Sequence, residues 1–238
     1  MNDFVYVGKE LGFFRHALNW KRYLAELIRP YLSGRILEVG AGSGTNTAYL
    51  CDDTYAEWVC LEPDSELAGK ISHLVSARQL PSICSVVEGT TATLPVNSKF
   101  DSILYIDVLE HIENDSEELQ RAANNLAVGG NLIVLSPAHN WLYTPFDSAV
   151  GHYRRYNKNM IKKMAPPMLQ MKRLLYVDSV GILASLANRW LLFQSIPKAS
   201  QLRVWDNYMV PLSRVLDSIL GYRIGKSLFA VMSYSRAS

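Results

Sequence analysis

The chain has 238 residues, 49% of them hydrophobic, and a formal net charge of +2. That length suits one α/β domain, and the hydrophobic content excludes a disordered chain. The near balance of charge leaves no electrostatic footprint for nucleic acid. Taken from the start, residues 13–32 are expected to form an amphipathic helix, because Leu18, Tyr23, Leu24, Leu27 and Ile28 recur at helical spacing. Pro30 and Gly34 close it.

Short apolar strands are expected at residues 36–39, 58–61, 83–87, 102–106 and 131–135. Helices fall between them, beginning near Thr47, Ser65 and Ser116; the last is expected to span 116–128, with Ser116 as its N-cap and Gly129-Gly130 as its stop. This alternation implies a parallel sheet covered on both faces. After Ser136 an aromatic loop leads to a helix at 158–164 and a strand at 172–177. An apolar helical insertion at 179–220 and a final strand at 227–234 follow.

The most informative stretch is Glu38-Val-Gly-Ala-Gly-Ser-Gly44, a strand end running into a glycine turn that opens a helix. Gly40, Gly42 and Gly44 let the backbone approach a ligand closely. The spacing is G-x-G-x-G, so the dinucleotide pattern G-x-G-x-x-G is not met, and the Gly-Lys-Ser/Thr ending of a P-loop is absent. A glycine loop preceded by an acid suits a cofactor with an ammonium group and no phosphate, such as S-adenosylmethionine.

With Glu62 closing the second strand, Glu88-Gly-Thr-Thr-Ala-Thr-Leu-Pro95 after the third and Val108-Leu-Glu-His-Ile112 after the fourth, the chain resembles the class I S-adenosylmethionine-dependent methyltransferases. The resemblance covers nearly the whole chain. It implies a Rossmann-like sheet, mostly parallel with an antiparallel last strand, helices on both faces and a helical insertion near the C-terminus. It divides a single domain, 1–238, into a helical cap (1–34), a cofactor-binding core (35–136), a substrate loop with helical insertion (137–226) and a last strand (227–238).

The resemblance further implies that Glu38, Gly40, Ala41, Gly42 and Gly44 hold the methionine end of the cofactor and that Glu62 binds the ribose hydroxyls. Thr90, Thr91 and Asp107 would complete the cofactor site, although Thr90 replaces the family's usual Asp. Asp107, Glu110 and His111 stand at i, i+3 and i+4, so on a helix they would share one face. Two carboxylates and an imidazole suit Mg²⁺ or Mn²⁺. The run also resembles the metal-binding stretch of ubiquinone-pathway O-methyltransferases, with Asp107 where those have Glu. The plainer reading is a capped helix start.

Ser136-Pro-Ala-His-Asn-Trp-Leu-Tyr-Thr-Pro-Phe-Asp147 and Gly151-His-Tyr-Arg-Arg-Tyr156 resemble a bacterial branch of the family. His152, and less so His139, are candidate bases; His111 is a further catalytic candidate. Arg154 and Arg155 would grip an anionic group, or instead clamp the loop to Asp147 or Asp178. Trp141, Tyr143 and Phe146 would pack a flat or greasy substrate, or pin a lid.

The expected activity is methyl transfer, O-directed, to a small, lipid-like or glycan-linked metabolite. The alternative is another transfer with the same cofactor, such as amination of a quinone with a divalent metal. Cys51, Cys60 and Cys84 have no metal or redox spacing and read as buried thiols of a reducing compartment. Without a visible signal peptide, a cytoplasmic chain is expected. The apolar run at 180–196, broken by Asn188, Arg189 and Gln194, reads as a buried insertion helix, with peripheral membrane contact as the second reading. The sequence leaves the oligomeric state open.

Overall fold

The computed structural model describes residues 16–95, 97–188 and 198–235. The expected helix start at 13–15, the second half of the apolar run (189–196, with Pro197) and the last three residues lie outside them. Seven strands form one sheet in the order β3-β2-β1-β4-β5-β7-β6. They are β1 (Arg35–Val39), β2 (Glu57–Glu62), β3 (Cys84–Glu88), β4 (Phe100–Ile106), β5 (Leu126–Pro137), β6 (Leu169–Val177) and β7 (Ser227–Tyr234). The first five pair in parallel, and β7 runs antiparallel to both β5 and β6.

Alternation along each strand builds two cores. Ile36, Trp58, Cys60, Leu104 and Ile133 face one side of the sheet, where Tyr23, Leu24 and Ile28 of α1 (Leu18–Ile28) and Ile71 of α3 (Ser65–Ser76) cover them. Leu37, Val59, Ile103, Tyr105 and Val134 face the other side, under Leu119, Ala122 and Ala123 of α4 (Asp115–Asn125) and Ile161 of α6 (Lys158–Met164). Burial on both faces is why these strands read as unbroken apolar runs.

The chain order reverses between β1 and β4, whose register pairs Val39 with Tyr105. The carboxyl ends of two strands that lead their crossovers to opposite sides leave a crevice there. The short α2 (Thr47–Leu50) starts beside it, after the glycine turn.

The expected helix at 116–128 is corrected at both ends. It starts at Asp115 and gives way at Leu126 to the long β5. Gly129-Gly130 does not stop the helix but lies within the strand, where a Cβ on Gly130 would sit 2.8 Å from the Asp101 carbonyl oxygen. Gly130 permits close backbone approach beside the register shift between Phe100 and Ser102, while Gly129 takes φ +89°.

The insertion is several helices: α7 (Gly181–Ala187), α8 (Ala199–Val204), a π turn (Trp205–Met209) and α9 (Val210–Ile219). Among the described residues no helix is long and apolar enough to cross a membrane.

Candidate active site

A cavity of about 830 Å³ opens at the crevice and runs under the insertion. One of its walls is the glycine turn. Gly40 has φ +64° and a Cβ there would strike Val108 at 2.7 Å. Gly42 also has positive φ, and its N–H donates to Glu62 Oε2 at 2.7 Å. The Asp64 N–H donates to the other Glu62 oxygen at 3.0 Å. Glu62 is thereby fixed at the end of β2, and each oxygen keeps a lone pair for a diol. Burial raises its pKa, against the two backbone donors.

Gly40, Ala41, Gly42, Glu62, Thr90, Thr91 and Asp107 all line the cavity. Gly44 does not; it has φ +74° and faces Ile71 and Leu74. Glu38 does not line it either. Its Oε2 accepts from Thr47 Oγ1 at 2.7 Å and Trp58 Nε1 at 2.9 Å, so it ties the glycine turn to β2 and α2. Burial lifts its pKa to about 6, held down in part by those two hydrogen bonds.

Thr91 Oγ1 donates to Glu118, whose carboxylate also accepts from Tyr105 at 2.7 Å. Glu118 was not singled out from the sequence, where it is one of several acids at a helix start. Two lysines also reach the cavity unannounced. Burial lowers Lys21 to about 8, against the charges of Glu38, Asp107 and Asp206, and its Nζ donates to Asn46 at 3.0 Å. Lys226 lies 3.3 Å from Asp178 Oδ2 and over the Trp205 ring at 3.9 Å, with its pKa lowered by burial. A lysine within an amphipathic helix and one before a strand carry no motif.

The expected shared face of Asp107, Glu110 and His111 is corrected. Asp107 has φ +54° and ends β4; Leu109–His111 is a single 3₁₀ turn. The α-helical geometry needed to align the three is therefore absent. The group that meets is Glu110, His111 and His152, whose candidate ligand atoms all lie within 4.8 Å of one another. Glu110 is fully buried, and neither of its carboxylate oxygens has a hydrogen-bond partner. Burial, then the Asp107 charge, raises its pKa well above the usual value. Burial, then the neighbouring His152, lowers His111 to about 4.

His152 is held by Asp147, with Nδ1 2.9 Å from Oδ1, and its Nε2 lies 3.8 Å from Glu110 Oε1. Arg155 binds the same Asp147 bidentately at 2.7 and 2.9 Å. Burial alone would raise Asp147, but the hydrogen bonds of His152 and Arg155 outweigh it and bring its pKa to about 2. Asp147 sits at N3 of α5 (Pro145–Ala149), in a capping box with Thr144.

Arg154 does not join the cavity. It donates to Asp115 Oδ2 at 2.6 Å and to the Glu113 carbonyl at 2.8 Å, fastening the loop to the start of α4. His139 stacks on Tyr176 at 4.5 Å, outside the cavity lining. Of the loop aromatics only Phe146 lines the cavity; Tyr143 donates to the His152 carbonyl at 2.6 Å and holds that residue's backbone.

Known proteins share this fold. The family model described as "Methyltransferase domain" matches residues 37–134. No curated protein matches the sequence. The chain resembles an S-adenosylmethionine-dependent methyltransferase from Clostridium acetobutylicum at TM-score 0.58 and 12% identity, covering 92% of each chain. It resembles coclaurine N-methyltransferase, solved with N-methylheliamine and adenosylhomocysteine, at 0.61 and 13%, covering 90% of this chain and 70% of that one. It also resembles the [4+2]-cyclase SpnF at 0.63 and 14%, covering 90% and 81%. These likenesses establish the shared fold, and the cyclase shows that this fold hosts more than one reaction. The chain carries a methyltransferase domain at residues 37–134, set in the fold of the S-adenosylmethionine-dependent methyltransferase it resembles.

Proposed function

We propose that the chain methylates a hydroxyl of a small, lipid-like acceptor, with His152 as the general base. The observation that carries this is the Asp147–His152 pair: Nδ1 is held by a buried carboxylate, so Nε2 is the nitrogen presented to the cavity. A carboxylate on Nδ1–H fixes that tautomer and stabilises the imidazolium that forms.

Bound S-adenosylmethionine supplies an electrophilic methyl on a sulfonium. The glycine turn and Glu62 would hold that cofactor, and His152 Nε2 would take the proton that the acceptor hydroxyl gives up on methylation, the sulfur leaving as a neutral thioether. The chain's task is to hold acceptor and methyl about 3 Å apart without water. The insertion offers Ala184, Ala187, Leu202 and Met209, which with Leu24 of α1 make an apolar wall that favours a lipid-like acceptor over a bare sugar.

His152→Ala is expected to lose turnover in a labelled-methyl assay against lipid extracts while adenosylhomocysteine affinity by calorimetry stays within about twofold, since the residue lies outside the glycine turn. Equal loss of both would remove the catalytic role.

A second reading has its own observation, the buried Glu110 carboxylate that accepts no hydrogen bond and faces two imidazoles. Glu110, His111 and His152 would hold a divalent cation, whose Lewis acidity would lower the pKa of a bound acceptor hydroxyl. His152 Nε2 cannot both ligate and accept the proton, so the readings exclude each other. Calorimetry with Mn²⁺ alone separates them: binding abolished by Glu110→Gln favours the cation, and turnover unaffected by chelators favours the base.

A further inference from the structure

The helices that roof the cavity have a second, outward face. From the π turn into α9, Tyr208, Leu212, Val215 and Ile219 recur at i, i+4, i+7 and i+11. Each is between 50 and 72% exposed. Scattered exposed apolar residues are ordinary, but a continuous stripe at helical spacing marks a binding face.

The charges of the same segment are sorted. Both of its acids point inward and are buried. Asp206 accepts from the N–H groups of Asn19 and Trp20, at 3.2 and 2.9 Å, closing the open amino end of α1. Asp217 accepts from Tyr23 at 2.7 Å and from the N–H groups of Asp178 and Ser179 at 2.6 and 2.9 Å. The exposed charges left on residues 198–224 are all basic: Lys198, Arg203, Arg214 and Arg223. Arg214 pairs at the edge with Glu26 of α1.

From the apolar stripe and its basic rim, we propose that this face docks on an anionic lipid bilayer. A helix lying in the interface needs this pairing of apolar stripe and flanking cations. A second copy fits less well. A two-fold contact through the stripe would set Arg203 and Arg214 against the same residues of the other copy, with no exposed acid on the segment to face them.

Ser200, Gln201, Leu202 and Trp205 of the same segment line the cavity from inside. A docked face therefore sets the acceptor pocket next to the bilayer, where an amphiphilic acceptor resides. That part rests on the proposed acceptor class; the docking itself does not, because vesicle binding is measured without turnover.

The full chain is sedimented with phosphatidylcholine vesicles with and without phosphatidylglycerol. It is expected to pellet with the anionic vesicles and to be released by high salt. Arg203→Ala should weaken binding about fivefold, and Leu212→Asp with Ile219→Asp should abolish it. None of these three residues lines the cavity, so adenosylhomocysteine affinity should be kept, which also shows that the variants are folded. Failure to pellet with anionic vesicles, equal pelleting with both vesicle types, or unchanged pelleting of the double variant overturns the proposal. So does a lipid-free dimer in sedimentation equilibrium that the double variant splits.

Discussion

Asp147 Oδ1 lies 2.9 Å from His152 Nδ1, and the same carboxylate closes a two-bond fork with Arg155. One fully buried acid thus sets the ring orientation of the proposed base and neutralises a buried guanidinium. The acid's own position is fixed by the capping box of α5. The loop is a unit, and its parts should fail together.

Asp147→Asn tests that unit. It leaves Arg155 buried without its counter-charge, which costs about 3–5 kcal/mol. The wild-type pH dependence follows from the depressed pKa of Asp147, about 2 against an ordinary 3.8. A group whose folded pKa is depressed adds stability that is complete above its unfolded pKa and lost as pH falls toward the folded one. Here that is about 2 kcal/mol, lost between about pH 4 and pH 2. Thermal melts across that range should show the loss in the wild type and a flatter response in Asp147→Asn.

Gly40→Ala should cripple cofactor binding. The substitution forces an L side chain to φ +64° and drives its Cβ into Val108. The backbone strain alone is worth about 1–3 kcal/mol. Calorimetry with adenosylhomocysteine should show at least tenfold weaker binding. Val108→Ala in the same chain should recover part of it, because it removes the clash and leaves the φ strain. Full recovery would mean that strain plays no part.

The strands and the glycine turn were legible because both have local signals: apolar runs of strand length and glycines in a tight turn. The final strand at residues 227–234 has the bounds expected from the sequence. The loop side of the cavity was legible only in part. His152 and Arg155 stood out as residue types, but their meeting with Glu110 depends on a loop crossing back over β4, which no local spacing encodes. Asp107 misled because i, i+3, i+4 spacing implies a shared face only on an α-helix, and its left-handed backbone ends that geometry at once. Gly129-Gly130 misled for a similar reason, since a helix stop and a close strand approach call for the same residue. Lys21 and Lys226 were hidden because a lysine within an amphipathic helix or before a strand has no pattern to mark it.

Arg154→Ala should separate anchoring from substrate binding. The guanidinium ties residues 113–115 to the loop, away from the cavity. Partly exposed pairs of this kind contribute about 1 kcal/mol or less. The melting temperature should drop by a few degrees while the acceptor KM is unchanged. A KM raised tenfold with no change in melting would return Arg154 to the acceptor site.

Lys21→Met should stabilise the protein at neutral pH. Burial lowers the Lys21 pKa from 10.5 to about 8, so folding disfavours its charged form. The sign follows: below about pH 8 the lysine is charged in both states and the full penalty is present, about 3 kcal/mol before subtracting the lost Asn46 hydrogen bond. Between about pH 8 and 10.5 the folded state has already released its proton, so the penalty shrinks, and above that range it vanishes. Denaturant titrations of Lys21→Met and wild type should therefore differ most at pH 7 and converge above about pH 10. A variant less stable than wild type at pH 7 would show that the pairing of Lys21 with the acids around it outweighs its desolvation.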